Sequence, residues 1–427
     1  MAANCEVVIT GVGVVSPIGI GNEAFWTSLF EGRSGVRRLD LFDQTDIEGL
    51  GLPPPFGADV ADFDPKQYVR PRKSLKVMSR EIQLAFAAAD LACVDAGLPD
   101  RPIDPERLGI VFGADMLPCD LSELTPAFRG CLVEGEFDYD LWGKTSMAEM
   151  YPLWMLKYLP NMPACHIGIA QDARGPNNSL TLGEVSSLSA VAEGVRVIER
   201  GHADAIIAGG TGSRIIPGSW IRAEVLGVSY RDDDPTTIMC PFDARRDGTI
   251  SGEGAGAFIL ERRSHAEARG ARILARVLGF ASTFESCPNG RPLQGRAIRS
   301  AIAGALADAG LAADAVGHVN AHGASTVLDD RIEARAIHDA MGDVPVTAPK
   351  SYFGNLAAGT GAVEMAASVL GLQQGLIPQT LNYRQPDPQC PVQVVRDRPM
   401  PTDRTTAMIL NHVRSGQAVA LLLEGCS

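Results

Sequence analysis

Short runs of valine, isoleucine and leucine alternate with alanine-rich segments along the whole chain, and this alternation restricts the possible folds most strongly. Several runs are continuously apolar, as expected for strands buried on both faces. The predicted strands are EVVITGVGVV (6–15), LGIVFGA (108–114), DAIIAGG (204–210), GAFILE (256–261), ILARVLGFAS (273–282), HVNAH (318–322), VPVTAP (344–349) and VALLLEG (419–425). Segments with helical periodicity lie at 79–97, 186–201, 295–310 and 359–375. Strand–helix alternation predicts a layered α/β fold.

The chain reads as two related halves, residues 1–255 and 256–427. Each half would start with a strand, continue through alanine-rich helices and close with a strand that ends in glycine, AIIAGG in the first half and ALLLEG in the second. Residues 115–165 interrupt this pattern with aromatic and proline-bearing sequence. That segment is too apolar for a solvated loop, so we expect it to pack against the body of the protein or against a partner.

Composition excludes several classes of function. The 427 residues contain 38 Lys and Arg against 51 Asp and Glu, a net charge of −13 that disfavours nucleic acid as a partner. No stretch approaches the ~20 apolar residues of a membrane span, and the N-terminus lacks the basic region of a signal peptide. The nine cysteines show neither CxxC nor zinc spacing. They predict free thiols in a reducing cytoplasm, with no metal and no cofactor.

Four segments resemble the motifs of the β-ketoacyl-ACP synthases, the condensing enzymes of the thiolase fold. They are VVITGVGVVSPIG (7–19), PFDARRDGTISGEGAGAFILE (241–261), VNAHGAST (319–326) and APKSYFGNLAAGTGAVE (348–364). The resemblance runs from one end of the chain to the other. It implies two duplicated βαβ-type halves in a five-layer α-β-α-β-α arrangement, a dimeric protein and an acyl carrier protein as partner.

The resemblance also implies a site. The family uses a cysteine at the start of a buried helix, here near residues 183–200, and two histidines that bind the thioester carbonyl. The cysteine position corresponds to Glu184 in TLGEVSS, and the first histidine is retained as His322. The second histidine position is Asn355, while Lys350 and Glu364 of the same motif are retained. The catalytic set would then be Glu–His–Asn instead of Cys–His–His.

The glycine-rich loop before the last strand reads NHVRSG (411–416), with Arg414 where the family carries a gating phenylalanine and His412 two residues earlier. Since Glu184 and Arg414 have both departed from the family pattern and carry opposite charges, we predict an ion pair between them that seals the pocket. Taken without the resemblance, Glu184 could be an ordinary capping residue and Asn355 an ordinary turn residue.

A glutamate cannot replace the nucleophilic thiol, because an acyl-glutamate would be a mixed anhydride that is hydrolysed readily. The resemblance is therefore strongest to the chain-length-factor subunits of type II polyketide synthases, which pair with a Cys-containing ketosynthase. The segments GFASTFE (279–285) and NGRP (289–292) agree with that subgroup. Residues 115–165, with Tyr151, Trp154 and Tyr158, would supply dimer contacts and part of the acyl tunnel.

Two other functions stay open at this stage. The chain could act alone, as a homodimer, and use Glu184, His322 and Asn355 for malonyl-ACP decarboxylation or for condensation or acyl transfer without a covalent intermediate. It could also be a carrier-protein binder that has lost all turnover.

Overall fold

The computed structural model describes residues 5–41, 49–100, 102–115, 119–286 and 293–426, so NGRP (289–292) lies outside the described residues. A 14-stranded mixed sheet forms the framework. Its main strands are β1 (Val7–Ser16), β2 (Leu108–Gly113), β3 (Asn177–Leu180), β4 (Ala205–Ser213), β5 (Ser251–Arg262), β6 (Ala275–Phe284), β7 (His318–Asn320), β8 (Pro345–Thr347), β9 (Thr406–His412) and β10 (Gln417–Gly425). Four short strands complete it: Gly19–Ile20, Arg37–Arg38, Phe56–Ala58 and Gln393–Val394.

The strand order repeats. The first five strands lie in the order β3-β2-β4-β5-β1, and the next five lie in the equivalent order β8-β7-β9-β10-β6. The directions repeat as well, because the outer three strands of each set are parallel and the other pairs are antiparallel. The two sets join through an antiparallel contact between β1 and β6. The predicted duplicated α/β fold is therefore confirmed.

The prediction that AIIAGG and ALLLEG are the equivalent closing strands of the two halves is wrong. AIIAGG lies in β4, the fourth strand of its set, whereas ALLLEG lies in β10, the fifth. By position in the sheet, β4 corresponds to β9, which the sequence did not predict, and β10 corresponds to β5. The expected boundary at 255/256 falls within β5, which pairs along its length with β1 and β4. We therefore propose that the halves divide between β5 and β6.

Helices separate and cover the strands. The main ones are α1 (Arg80–Asp95), α2 (Ser186–Glu199), α3 (Arg296–Ala309), α4 (Val327–Met341) and α5 (Thr360–Gln374). The central helices α2 and α5 contact each other and strands of both halves. Helix α1 covers the outer face of the first set of strands, and α3 covers that of the second, with α4 beside it. The chain thus forms the five layers that were predicted.

Smaller elements fill the connections. The remaining helices are Asn22–Glu31, Leu121–Arg129, Trp142–Glu149, Met162–Ala170, Pro217–Ile221, Ala223–Leu226, Arg263–Ala268 and Lys350–Phe353. Two short hairpins pair Leu132–Val133 with Glu136–Phe137 and Leu376–Ile377 with Met400–Pro401. Among the described residues, no helix combines the length and apolar character that a membrane span requires. The cysteines within the described ranges are free thiols.

The 115–165 segment lies on the body near its two ends. Tyr158 contacts an apolar cluster that includes Ile82 and Phe86 of α1, and Leu121 borders a cavity beside β4. In the middle of the segment, Phe128 and Trp142 pack on each other, and Tyr139 and Met147 are more than four-fifths exposed. Residues 116–118 lie outside the described part of the chain. The segment therefore leaves a substantial apolar surface uncovered in the isolated chain.

Candidate functional site

A cavity of about 290 Å³ lies where the two halves meet, and most of the predicted site residues reach it. Its lining includes the five predicted residues Glu184, His322, Asn355, His412 and Arg414. These side chains come from the start of α2, the loops after β7 and β8, the end of β9 and the β9–β10 loop. The repeated topology brings these segments to one point, because equivalent loops of the two halves converge between the central helices.

Glu184 is held at the start of α2 by local structure. It lies in a single 3₁₀ turn, Gly183–Val185, that leads directly into the helix. The hydroxyl of Ser186 accepts a hydrogen bond from the backbone N–H of Leu182 and donates one to the carbonyl of Gly183. At Gly113 of β2 a Cβ would come within 2.7 Å of the backbone of Ser186, so the helix start packs directly on the strand. The backbone before α2 is consequently fixed.

The partner of Glu184 is Arg214. Arg214 Nη2 donates to Glu184 Oε1 at 2.6 Å, and Asn355 Nδ2 donates to the same oxygen at 3.3 Å. The two charged side chains are 18% and 13% exposed. Burial alone would raise the pKa of Glu184, but the charge and hydrogen bond of Arg214, the backbone amide and Asn355 together lower that pKa to about 2. Glu184 is therefore a carboxylate at neutral pH.

The predicted ion pair between Glu184 and Arg414 is wrong. Arg414 Nε instead donates to Asp329 Oδ2 at 2.8 Å, and its side chain is half exposed. Both arginines line the cavity, but Arg414 is turned toward the start of α4. Arg214 was missed because no motif marks it. The sequence offered one indication, because Arg214 is a positively charged residue directly after the buried strand β4. That strand is adjacent to β2 in the sheet and packs against α2.

Lys350 and Glu364 lie behind His322 and support it. Lys350 Nζ donates to Glu364 Oε1 at 2.5 Å, to the carbonyl oxygen of His322 at 2.6 Å and to His322 Nδ1 at 3.3 Å. Both charged side chains are fully buried. Burial raises the pKa of Glu364 to about 7, although Lys350 opposes the shift. Glu333 accepts from the backbone N–H groups of His322 and Gly323, at 2.6 and 2.8 Å. His322 is thus anchored through both backbone and ring.

The protonation of His322 follows from its neighbours. Lys350 Nζ carries only donors, so Nδ1 must accept and the ring proton lies on Nε2. Burial, then the charge of Lys350, lower the pKa of His322 well below its usual value, so the ring is neutral. The centroid of the His412 ring is 4.5 Å away. Burial would lower the pKa of His412, but Glu333 and Asp329 outweigh burial and raise it.

These groups can bind a carbonyl oxygen but provide no obvious nucleophile. The neutral His322 offers an N–H donor, as an oxyanion site requires. Asn355 Nδ2 is already directed to Glu184, and its Oδ1 accepts from the backbone N–H of Ala357. No cysteine of the described part of the chain lines the cavity. In the same part, no three His, Cys, Asp or Glu side chains are grouped so as to hold a metal ion.

Tyr151 and Trp154 lie away from this cavity. Tyr151 is half exposed, and Trp154 packs against the ring of Tyr158 at 5.6 Å between centroids. Neither lines the 290 Å³ cavity. The cavity of the single chain therefore does not support their predicted place in the wall of an acyl tunnel. Because Tyr151 is exposed, it is available for contacts with a partner.

Comparisons with known proteins agree with this architecture. The N-terminal domain of β-ketoacyl synthases matches residues 4–266, and the C-terminal domain of the same family matches residues 274–384. A 3-oxoacyl-[acyl-carrier-protein] synthase 2 of Synechocystis is 34% identical over 402 residues, covering 92% of each chain. The tetracenomycin polyketide synthase ketoacyl synthase alpha subunit of Streptomyces glaucescens is 32% identical, covering 92% of this chain and 91% of the relative.

Solved structures extend the likeness to three dimensions. The ishigamide ketosynthase/chain length factor superposes with a TM-score of 0.84 at 29% sequence identity, and the alignment covers the whole of both chains. Both domains of one family are thus matched in sequence and the complete fold is matched in structure. The protein belongs to the β-ketoacyl synthase family.

Proposed function

We propose that the chain is a non-condensing, chain-length-factor-like subunit that pairs with a Cys-containing ketosynthase. The pair would build a polyketide or a specialised fatty acid on acyl carrier protein. The proposal draws on two named relatives, a ketoacyl synthase alpha subunit of a polyketide synthase and a ketosynthase/chain length factor. Acyl carrier protein as a partner is supported by the name of the Synechocystis relative.

Glu184 is the observation that carries the proposal. It begins α2 and borders the same cavity as His322 and Asn355, which is where the family resemblance puts the nucleophile. A carboxylate is a poor acceptor of an acyl group from a thioester. With a pKa of about 2 it is also a weak general base at neutral pH. Its charge is already used in the contact with Arg214, so Glu184 has a structural and not a catalytic role.

The experiment is native mass spectrometry of the tagged chain purified from its own cells, followed by sequencing of any chain bound to it. We expect a 1:1 complex with a second ketosynthase-like chain that carries the Cys–His–His set. A homodimer with no such chain would contradict the proposal and favour an enzyme that acts alone.

A single substitution tests the loss of condensation in the chain purified without its partner. We expect Glu184→Cys alone to produce no condensing activity, because Asn355 remains in place of the second histidine and Arg214 loses its partner. Condensation by purified Glu184→Cys, measured with acyl-ACP and malonyl-ACP, would show that the rest of the site is still competent. Glu184→Ser is the matched control, since it makes a similar change in size without a thiol.

Malonyl-ACP decarboxylation is the second candidate, and the neutral His322 favours it because its N–H could bind the thioester carbonyl. The charge of Glu184 alone would oppose it, since two like charges at ~4 Å cost about 4 kcal/mol at an effective dielectric of 20, but the adjacent Arg214 offsets that cost. Turnover of malonyl-ACP by the purified chain separates the two functions. Release of CO₂ that is lost in His322→Ala would support decarboxylation, whereas no release would exclude it.

A further inference from the structure

A second cavity of about 550 Å³ lies on the other side of Arg214. Its lining includes the apolar side chains of Leu121 and Ile216, the glycine and serine that end β4, and the charged residues Glu81, Asp115 and Arg222. Two residues, Arg214 and Leu226, line both this cavity and the 290 Å³ cavity. A side chain that lines two cavities stands between them. Arg214 therefore forms part of the wall that separates the two spaces.

The position of the Arg214 side chain depends on Glu184. Arg214 follows β4 directly, and its backbone N–H donates to the carbonyl of Gly252 in β5 at 2.9 Å, so the sheet fixes where the side chain begins. The hydrogen bond to Glu184 at 2.6 Å fixes where it ends. Asn355 Nδ2 donates to the same carboxylate oxygen at 3.3 Å and also holds it in place. The guanidinium and the carboxylate together therefore span the gap between the end of β4 and the start of α2.

We propose that the Glu184–Arg214 ion pair is a wall that prevents an acyl chain from passing between the two cavities of this subunit. Without these two side chains, the spaces would join into one channel running from the cavity at His322 into the 550 Å³ cavity, past the apolar side chains of Leu121 and Ile216. Arg214 is then a specificity-determining residue, because it restricts the 290 Å³ cavity to short acyl groups. The inference rests on the proposed function only for the choice of an acyl chain as ligand.

Chain-length dependence of binding tests the wall directly. The probes are S-alkyl-pantetheine thioethers with two to sixteen carbons, which cannot be hydrolysed, and binding to the full chain is measured by titration calorimetry. For wild type, we expect the Kd to stop falling once the alkyl group fills the 290 Å³ cavity. For Glu184→Ala/Arg214→Ala, we expect the Kd to go on falling, about fourfold for each added methylene that becomes buried.

A control pair distinguishes the wall from a general loss of charge. Asp329→Asn/Arg414→Gln removes another ion pair that lines the first cavity and not the 550 Å³ one, so its Kd should level off at the same chain length as wild type. Wild type whose Kd falls steadily to sixteen carbons would overturn the proposal. A double alanine variant that levels off where wild type does would overturn it too.

A second double variant and a crystal structure cover the cases in which the alanine variant does not fold or no thioether binds. Glu184→Ser/Arg214→Ser replaces the alanine pair if that variant does not fold. A crystal structure of either double variant decides the matter if no thioether binds. One continuous cavity is expected, and two cavities still divided by Leu226 would contradict the inference. A homodimer in the partner experiment would leave these binding curves unchanged, so the two proposals can fail separately.

Discussion

At the scale of single residues, Arg214 determines the charge of Glu184. The pKa of about 2 in the folded protein lies below the ordinary value of 4.5, so ionised Glu184 stabilises the fold above about pH 4.5. That stabilisation is lost as the pH falls from 4.5 toward 2. A depression of this size corresponds to at most about 3 kcal/mol, because both side chains retain some contact with solvent.

In Arg214→Met, ionised Glu184 should destabilise the folded protein instead of stabilising it. Burial then acts unopposed by a cation and raises the pKa of Glu184, so Arg214→Met should be less stable than wild type by about 3–5 kcal/mol at pH 7. The difference in stability should narrow as the pH falls from the raised pKa of the variant toward 2, because in this range folded Arg214→Met has taken up a proton on Glu184 and folded wild type has not. Thermal unfolding midpoints between pH 3.5 and 7 measure it. In Glu184→Gln/Arg214→Met, which has no titrating group here, the difference from wild type should stay constant above pH 4.5 and narrow only below it, where wild type loses its own contribution; narrowing above pH 4.5 in both variants would contradict the assignment.

Lys350 and Glu364 form a buried ion pair in which each charge is stabilised by the other. Both side chains are fully buried and 2.5 Å apart, so Lys350→Met leaves a buried carboxyl group without its cation. We expect a loss of about 3–5 kcal/mol in the free energy of unfolding. The double variant Lys350→Met/Glu364→Gln should recover a large part of that loss, because it buries no charge. Urea denaturation of the three proteins checks this, and a double variant as unstable as the single one would refute the coupling.

At the scale of elements, the site depends on how closely the central helices α2 and α5 approach. A Cβ on Gly361 of α5 would lie 2.9 Å from the Cγ of Leu188 in α2 and 2.1 Å from the Oδ1 of Asn411. Gly361→Ala should therefore cost about 1–3 kcal/mol, although alanine favours helix more than glycine does. Gly143 is the matched control, since it is an exposed helical glycine with open space at its Cβ. Gly143→Ala should raise the unfolding temperature slightly, and a similar loss in both variants would contradict the packing argument.

The elements that could be predicted from the sequence are those with a continuous apolar or amphipathic pattern. Strands β1 and β4 and helices α1 and α2 were found within a few residues of their ends for that reason. Helix α4 was missed because charged residues interrupt the apolar pattern of VLDDRIEARAIHDAM, and its buried face includes Asp330 and Glu333. Strand β3 was missed because NNSL is polar and lies at the edge of the sheet.

The candidate site likewise contains residues that the sequence could identify and contacts that it could not. Glu184, His322 and Asn355 could be identified because each belongs to a contiguous motif whose spacing is fixed by local backbone structure. The pairing of Glu184 with Arg214 could not be found, because it depends on the packing of α2 against β4 and on the reach of a long side chain. The same reason explains why Arg414 pairs with Asp329, 85 residues earlier in the chain.

At the scale of the whole molecule, the uncovered surface is concentrated in one part of the chain. Between residues 121 and 169 the exposed large apolar side chains include Leu132, Tyr139, Met147, Leu153 and Met155. An exposed apolar surface of this extent is typical of a protein–protein interface. It adjoins the edge strand β3, whose outer side has no neighbouring strand within the described sheet. We therefore expect the partner subunit to cover this region.

Charged substitutions there should separate the subunits without unfolding the chain. Leu153→Glu/Met155→Glu would bury two carboxylates against an apolar partner, so we expect the dissociation constant of the complex to rise at least tenfold. Sedimentation and native mass spectrometry should then show the 45.3 kDa chain alone. Val94→Glu is the control, because Val94 is similarly exposed but lies on α1. If Leu153→Glu/Met155→Glu retained the complex while Val94→Glu lost it, the partner would instead bind the outer face of α1.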